Sequence, residues 1–135
     1  MQDRNQKLNN IRPAIPTVIE ENVTSESEQF QNKTLRPILK FQNELLLEIF
    51  HQYIQKRKNK FHQLSPTKKL EYIQTNLRND MKFRNLLTGL VVGHFTIEEF
   101  EIYKNNESEL SRRIINLLIQ RLQDQVDKFS STTLT

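Results

Sequence analysis

The chain has 135 residues, a formal net charge of +4, two glycines, four prolines and no cysteine. That length suits one domain. The composition excludes disulfide frameworks, thiolate metal sites and cysteine nucleophiles, and so little glycine argues against a loop-rich β sandwich or a Gly-rich phosphate-binding fold. No apolar run approaches the roughly 18–20 residues of a membrane span, and the polar start lacks a signal-peptide core. The expected setting is the cytoplasm, with no membrane contact.

Residues 1–25 read as a flexible tail, with Pro13 and Pro16 and no sustained period, although Ile11, Ile15, Val18 and Ile19 could dock. Residues 26–129 read as one helical domain and 130–135 as a second tail. Asn22-Val23-Thr24, Asn32-Lys33-Thr34 and Asn106-Glu107-Ser108 match glycosylation acceptors, which have no use without a secretory route.

A short helical turn is expected around Glu26–Gln31. Thr34 is then expected to cap a long helix, with Pro37 in its first turn. Leu35, Ile38, Leu39, Leu45, Leu46, Ile49, Phe50 and Tyr53 share about 140° of its circumference. Gln42 falls inside that stripe and needs a hydrogen-bond partner if buried. Packing should end near Ile54, with Phe61 and Leu64 tucking the chain back.

Ser65-Pro66 starts the next helix, with Leu70, Ile73 and Leu77 on one face. Asp80 can cap a third helix running to Val92, with Phe83, Leu86, Leu87, Leu90 and Val91 inward, Gly89 as a packing contact and Gly93 as a C-terminal cap. Thr96-Ile97-Glu98-Glu99 is a capping box, flanked by Phe95 and Phe100 as a hydrophobic staple. Asn106 with Glu109 suggests a second capping pair. It would open a central helix to about Phe129, whose apolar arc from Leu110 to Val126 spans roughly 200°. These elements predict an all-α fold: a compact irregular bundle of about five helices, two long and three short, with a disordered or docked N-terminal tail.

Chemistry-bearing patterns are sparse. Glu48-x-x-His51 with Glu44 imitates half of a di-iron helix motif, but a second copy is missing and these side chains lie opposite the apolar stripe. His51 and His62 are eleven residues apart, about 16 Å along a continuous helix, too far to share an ion. His94 reads as a hydrogen-bonded turn histidine. Arg121 falls in the apolar arc, so either a carboxylate meets it or its head snorkels out. No nucleophile elbow, phosphate loop or zinc-protease motif is present. No catalytic set, metal site or cofactor is expected.

Charge is uneven. Residues 56–84 hold nine basic residues against Glu71 and Asp80, a net of +7. Residues 98–109 hold five glutamates against Lys104, a net of −4. Lys56, Arg57, Lys58, Lys60, Lys68 and Lys69 are therefore the candidate partner-binding residues, for an acidic protein or for nucleic acid. A helix-turn-helix over 85–105 would bring Glu98, Glu99 and Glu101 against phosphates, which disfavours that motif. The favoured expectation is a non-enzymatic domain binding a protein partner or itself.

The segments Phe30 to Lys40, Phe83 to Phe95 and Asn106 to Asn116 resemble a family of short bacterial helical proteins. Some of its members carry the name glyoxalase. The resemblance implies a discrete bacterial domain, and that name implies lactoylglutathione lyase chemistry. No residue is carried over as catalytic, because the activity belongs to a βαβββ fold with His and Glu metal ligands, which this sequence lacks.

Overall fold

The computed structural model describes residues 3–13 and 25–129. The docking expected of Ile15, Val18 and Ile19, the 22–24 acceptor pattern and the 130–135 tail lie outside the described residues. Among the described residues there are helices and turns and no strand. The fold is all-α, with eight α-helices instead of about five. Two differences account for most of the excess: part of the N-terminal tail is helical, and the long first helix is broken.

The tail forms α1 (Arg4–Ile11), opened by a capping box between Asp3 and Gln6. Sequence gave no period here because α1 buries no residue. It is held by polar bonds to a distant turn.

The next helical path starts earlier than expected. Ser25, not Thr34, is the cap, its hydroxyl accepting from the Glu28 amide at 3.0 Å. From it run α2 (Glu26–Phe30), a π-helical turn (Gln31–Leu35) and α3 (Arg36–Phe41). Pro37 has no N–H for the carbonyl four residues back, and its ring needs extra room there. The wider π turn lies where that room is needed. Thr34 sits inside the turn, buried.

Gln42 leaves helical geometry at φ −86°, ψ 2° and separates α3 from α4 (Asn43–Lys56). Its buried side-chain amide donates to the Leu90 carbonyl at 3.1 Å, so the polar residue in the stripe has its partner. Ile54 is the last buried residue of α4, as expected. The chain then reverses through Lys58 and Asn59, both left-handed at φ 61° and 56°. A 3-10 turn (Lys60–Gln63) follows, with Phe61 fully buried.

Ser65 caps α5 (Pro66–Asn79) and Asp80 caps α6 (Met81–Val92), both as expected. Leu70 and Leu86, expected inward, are exposed. A Cβ on Gly89 would meet nothing within 4 Å, so no neighbour packs there. Gly93 ends α6 with an ordinary right-handed backbone.

Thr96 and Glu99 form the capping box of α7 (Ile97–Asn105). The staple does not pull both rings inward. Phe95 turns into the core against Phe30 and Tyr103, at 5.4 and 5.6 Å between ring centres, whereas Phe100 is 41 % exposed. The Asn106–Glu109 pair is replaced: Asn106 donates back to the Ile102 carbonyl, and Glu109 pairs with Arg112 and Arg113.

The last helix, α8 (Glu107–Asp124), stops short of Phe129 and passes into a 3-10 turn (Val126–Lys128). This turn swings Phe129 inward, where its ring lies 5.0 Å from Phe50. Seven residues of α8 are buried, and it touches α5, α6, α7 and the π turn, which makes it the central helix.

Candidate basic cleft and the surfaces beside it

Lys56 ends α4, Arg57 caps it, and the left-handed pair at Lys58 and Asn59 turns the chain back over its own helix end. A left-handed lysine costs about 1 kcal/mol, and the bends are held by backbone bonds from Lys58 to Gln55 and from Asn59 to Ile54, each 3.1 Å. Lys56, Arg57, Lys58 and Lys60 thereby come together around a cleft of about 340 Å³, closed on the other side by Tyr72 and Asn76 of α5.

Lys68 and Lys69 do not line this cleft. Lys68 pairs with Glu71 at 3.4 Å, and the Lys69 ammonium lies 5.5 Å from the centre of the Phe61 ring. Tyr72 and Asn76 were not singled out in the sequence. Their one signal is i, i+4 spacing on the face of α5 that also carries Ile73 and Leu77.

Beneath the cleft a polar cluster fixes Arg57. Its guanidinium lies 3.5 Å from the centre of the Tyr53 ring and donates to Asp80 at 3.0 Å. The Tyr53 hydroxyl donates its one proton to Asp80 at 2.7 Å and lies 3.0 Å from the Asn76 side-chain oxygen. The Tyr53 hydroxyl and the Phe83 amide hold the Asp80 carboxyl below its usual range. Burial, and then the bond to Asp80, pushes the Tyr53 phenol well above its own. Asp80 is thus committed to Tyr53, Arg57 and the cap of α6. Among the described residues, no carboxylate forms an ion pair with Lys56, Lys58 or Lys60. The buried Tyr72 hydroxyl has no hydrogen-bond partner among the described residues.

Leu45, Ile49, Gln52 and Lys56 recur at intervals of four, three and four, so one face of α4 runs from apolar to cationic. The neighbouring α6 runs antiparallel to α4, with Gln42 bonded to Leu90 at one end and Tyr53 stacked on Phe83, ring centres 3.8 Å apart, at the other. That register turns Leu86 and Leu90 toward the same outer side as Leu45 and Ile49. Leu45 is 49 % and Leu86 55 % exposed, and Phe41, 45 % exposed, extends the strip beside His94.

The acidic segment is largely neutralised in place. Arg12 at the end of α1 meets Glu99, Glu101 pairs with Lys104, and Glu109 with Arg112 and Arg113. Glu98 accepts a bond from the Asn5 amide. Of the helix Glu-x-x-His pattern, Glu44 and Glu48 are exposed, as expected for a solvated face, whereas His51 is half-buried. The chain reversal does bring His62 back within electrostatic reach of His51, unlike a continuous helix. Among the described residues no three His, Asp or Glu side chains converge as metal ligands would, and no helix is long and apolar enough to cross a membrane.

Comparison with protein-family models, with curated proteins and with solved structures gives no match.

Proposed function

We propose that this protein is a non-enzymatic interaction module that takes a protein partner on the face shared by α4 and α6. An acidic group of the partner enters the cleft of Lys56, Arg57, Lys58 and Lys60, and apolar side chains cover Phe41, Leu45 and Leu86. The observation that carries this reading is that Lys56, in a cleft whose lysines have no ion-pair partner among the described residues, lies on the same face of α4 as the exposed Leu45. Nucleic acid would favour a basic groove that tracks a backbone. Here the charge of Lys56 gives way to Ile49 about two helical turns away and to Leu45 about three, which fits an amphipathic acidic helix better.

A suitable probe is a fluorescent helical peptide with leucines at i, i+3, i+4 and i+7 and glutamates at one end. Binding should weaken with Leu45→Glu and with the triple change Lys56→Gln, Lys58→Gln, Lys60→Gln, and each variant should keep the wild-type unfolding midpoint. Equal or tighter binding of a DNA duplex, with a steep salt dependence lost in the triple variant, would instead support the nucleic-acid reading. Sedimentation velocity tests whether the partner is a second copy of the chain.

A further inference from the structure

A second concavity lies far along the chain from the basic cleft, between the start of α3 and the end of α8. It holds about 230 Å³ and is lined by Arg36, Leu39, Leu117, Gln120, Arg121, Asp124 and Gln125. Leu39 and Leu117 are buried and present carbon to it. Among the described residues, neither guanidinium has an ion-pair partner. Arg36 donates through Nε to Asn32 at 3.0 Å, which orients its fork and leaves both terminal nitrogens free of that bond. Arg121 makes one long bond, 3.4 Å, to Asn43. The Gln125 amide is occupied by Asn43, at 2.7 and 2.8 Å.

Arg121 was expected either to meet a carboxylate or to snorkel, and it does neither fully: it is half-buried with a second cation as neighbour. Burial, and then repulsion from Arg36, lowers its proton affinity, and Asp124 offsets this only in part. Two guanidinium groups lining one concavity, Arg121 half-buried and Arg36 exposed, repel each other, and an anion between them relieves that repulsion. Two cations and the Asp124 carboxylate leave one uncompensated positive charge, so the matching ligand is a monoanion. Planar donor forks suit a carboxylate, and the leucines suit a short hydrocarbon body.

We propose that this cavity binds a carboxylate with an apolar tail, its oxygens bracketed by Arg36 and Arg121 and its tail against Leu39 and Leu117. The same chemistry is offered by a small free acid and by the C-terminus of a peptide. The test is calorimetric titration of the full chain, at fixed ionic strength, with sodium hexanoate and with an N-acetylated leucine-terminated tripeptide. Hexanamide and the amidated tripeptide are the uncharged controls, and sulfate is the dianionic one. At least one carboxylate should bind, its uncharged control should not, and the tighter of the two identifies the source. Arg36→Gln, at an exposed position, should weaken binding about tenfold or more, the loss expected for a charge-assisted hydrogen bond. Arg121→Lys keeps a charge without the fork and should weaken it too. No binding of either carboxylate to wild type, unchanged binding in Arg36→Gln, or tighter binding of sulfate would overturn the assignment.

Discussion

Arg12 and Glu99 meet in a two-pronged ion pair, 2.6 and 2.5 Å from the two guanidinium nitrogens to the two carboxylate oxygens, across 87 residues of sequence. Glu99 also receives the Thr96 amide at 2.8 Å and the Thr34 hydroxyl at 3.2 Å. One carboxylate therefore joins the N-terminal segment, the π turn and the start of α7. Arg12 also donates to the His94 carbonyl, and Arg4 donates to the carbonyls of Phe95 and Gly93. The side chains of the pair are only 10 % and 16 % exposed. Arg12→Gln should lower stability by about 2–4 kcal/mol, because it strands a mostly buried carboxylate. The urea midpoint measures this. A midpoint equal to wild type would show that the tie contributes nothing.

The pH dependence follows from the same region. Burial pushes Glu99 up, but Arg12 and the Thr96 amide outweigh it and hold the carboxyl below its ordinary value of 4.5. Its contribution is present above that value and is lost as pH falls through the lower folded value. His94 is lowered by burial and by Arg12 and Arg4, and His62 by burial, Lys69 and His51. The unfolded chain thus takes up these protons first, near 6.5, and stability declines as pH drops below that point. Thermal midpoints should fall in two stages. The double change His62→Asn, His94→Asn should remove the upper stage, and Glu99→Gln should shrink the lower one, to which Asp80 and Glu109 also contribute.

Thr96→Ala should cost about 0.5–2 kcal/mol, the usual loss for an N-cap. Thr96 is buried and its hydroxyl accepts from the Glu99 amide at 3.2 Å. Thr96→Ser should recover most of the difference in the same denaturation assay.

Gly89→Ala should raise stability by about 0.5–1 kcal/mol. The residue lies within α6 and the added methyl meets no neighbour within 4 Å. A lower melting temperature would mean that the face beside Leu86 is covered.

Tyr72→Phe should leave stability unchanged or raise it by up to about 1 kcal/mol, because the buried hydroxyl has no partner to lose. The ring keeps its contact with Phe61, 5.2 Å between centres. A clear loss in the unfolding midpoint would place a bound water or ligand on the hydroxyl.

Short-range chemistry was legible at some helix starts and not at Asp3, Ser25 or Asn106, and long-range polar chemistry was not legible at all. Ser65, Asp80 and Thr96 cap helices because the signals lie within three residues of their partners. The central role of α8 followed from the width of its apolar arc. The cap at Ser25 was missed because Thr34, followed by Pro37, imitates a helix start, and a single π turn is too short to show its period. Leu45, Leu70 and Leu86 were read inward because a helical wheel gives the apolar side of a helix but not how much of it neighbours cover. In the basic cleft, Lys56, Arg57, Lys58 and Lys60 are neighbours in sequence and came out together. Tyr72 and Asn76 reach it only through packing of α5 on α4. The role of α1 was invisible, since Arg4 binds backbone carbonyls, which every sequence has, and the Arg12–Glu99 pair joins residues 87 apart.

The π turn also sets rotational phase. It holds one more residue than an α turn for a similar advance, so it fixes how Phe30 is rotated relative to all that follows. Deleting the exposed Lys33 would turn Phe30 about 100° away from Phe95. Straightening this segment would thus crowd the Pro37 ring against the carbonyl four residues back and unseat the Phe30 ring that anchors it, so the irregularity is a spacer whose length the fold depends on.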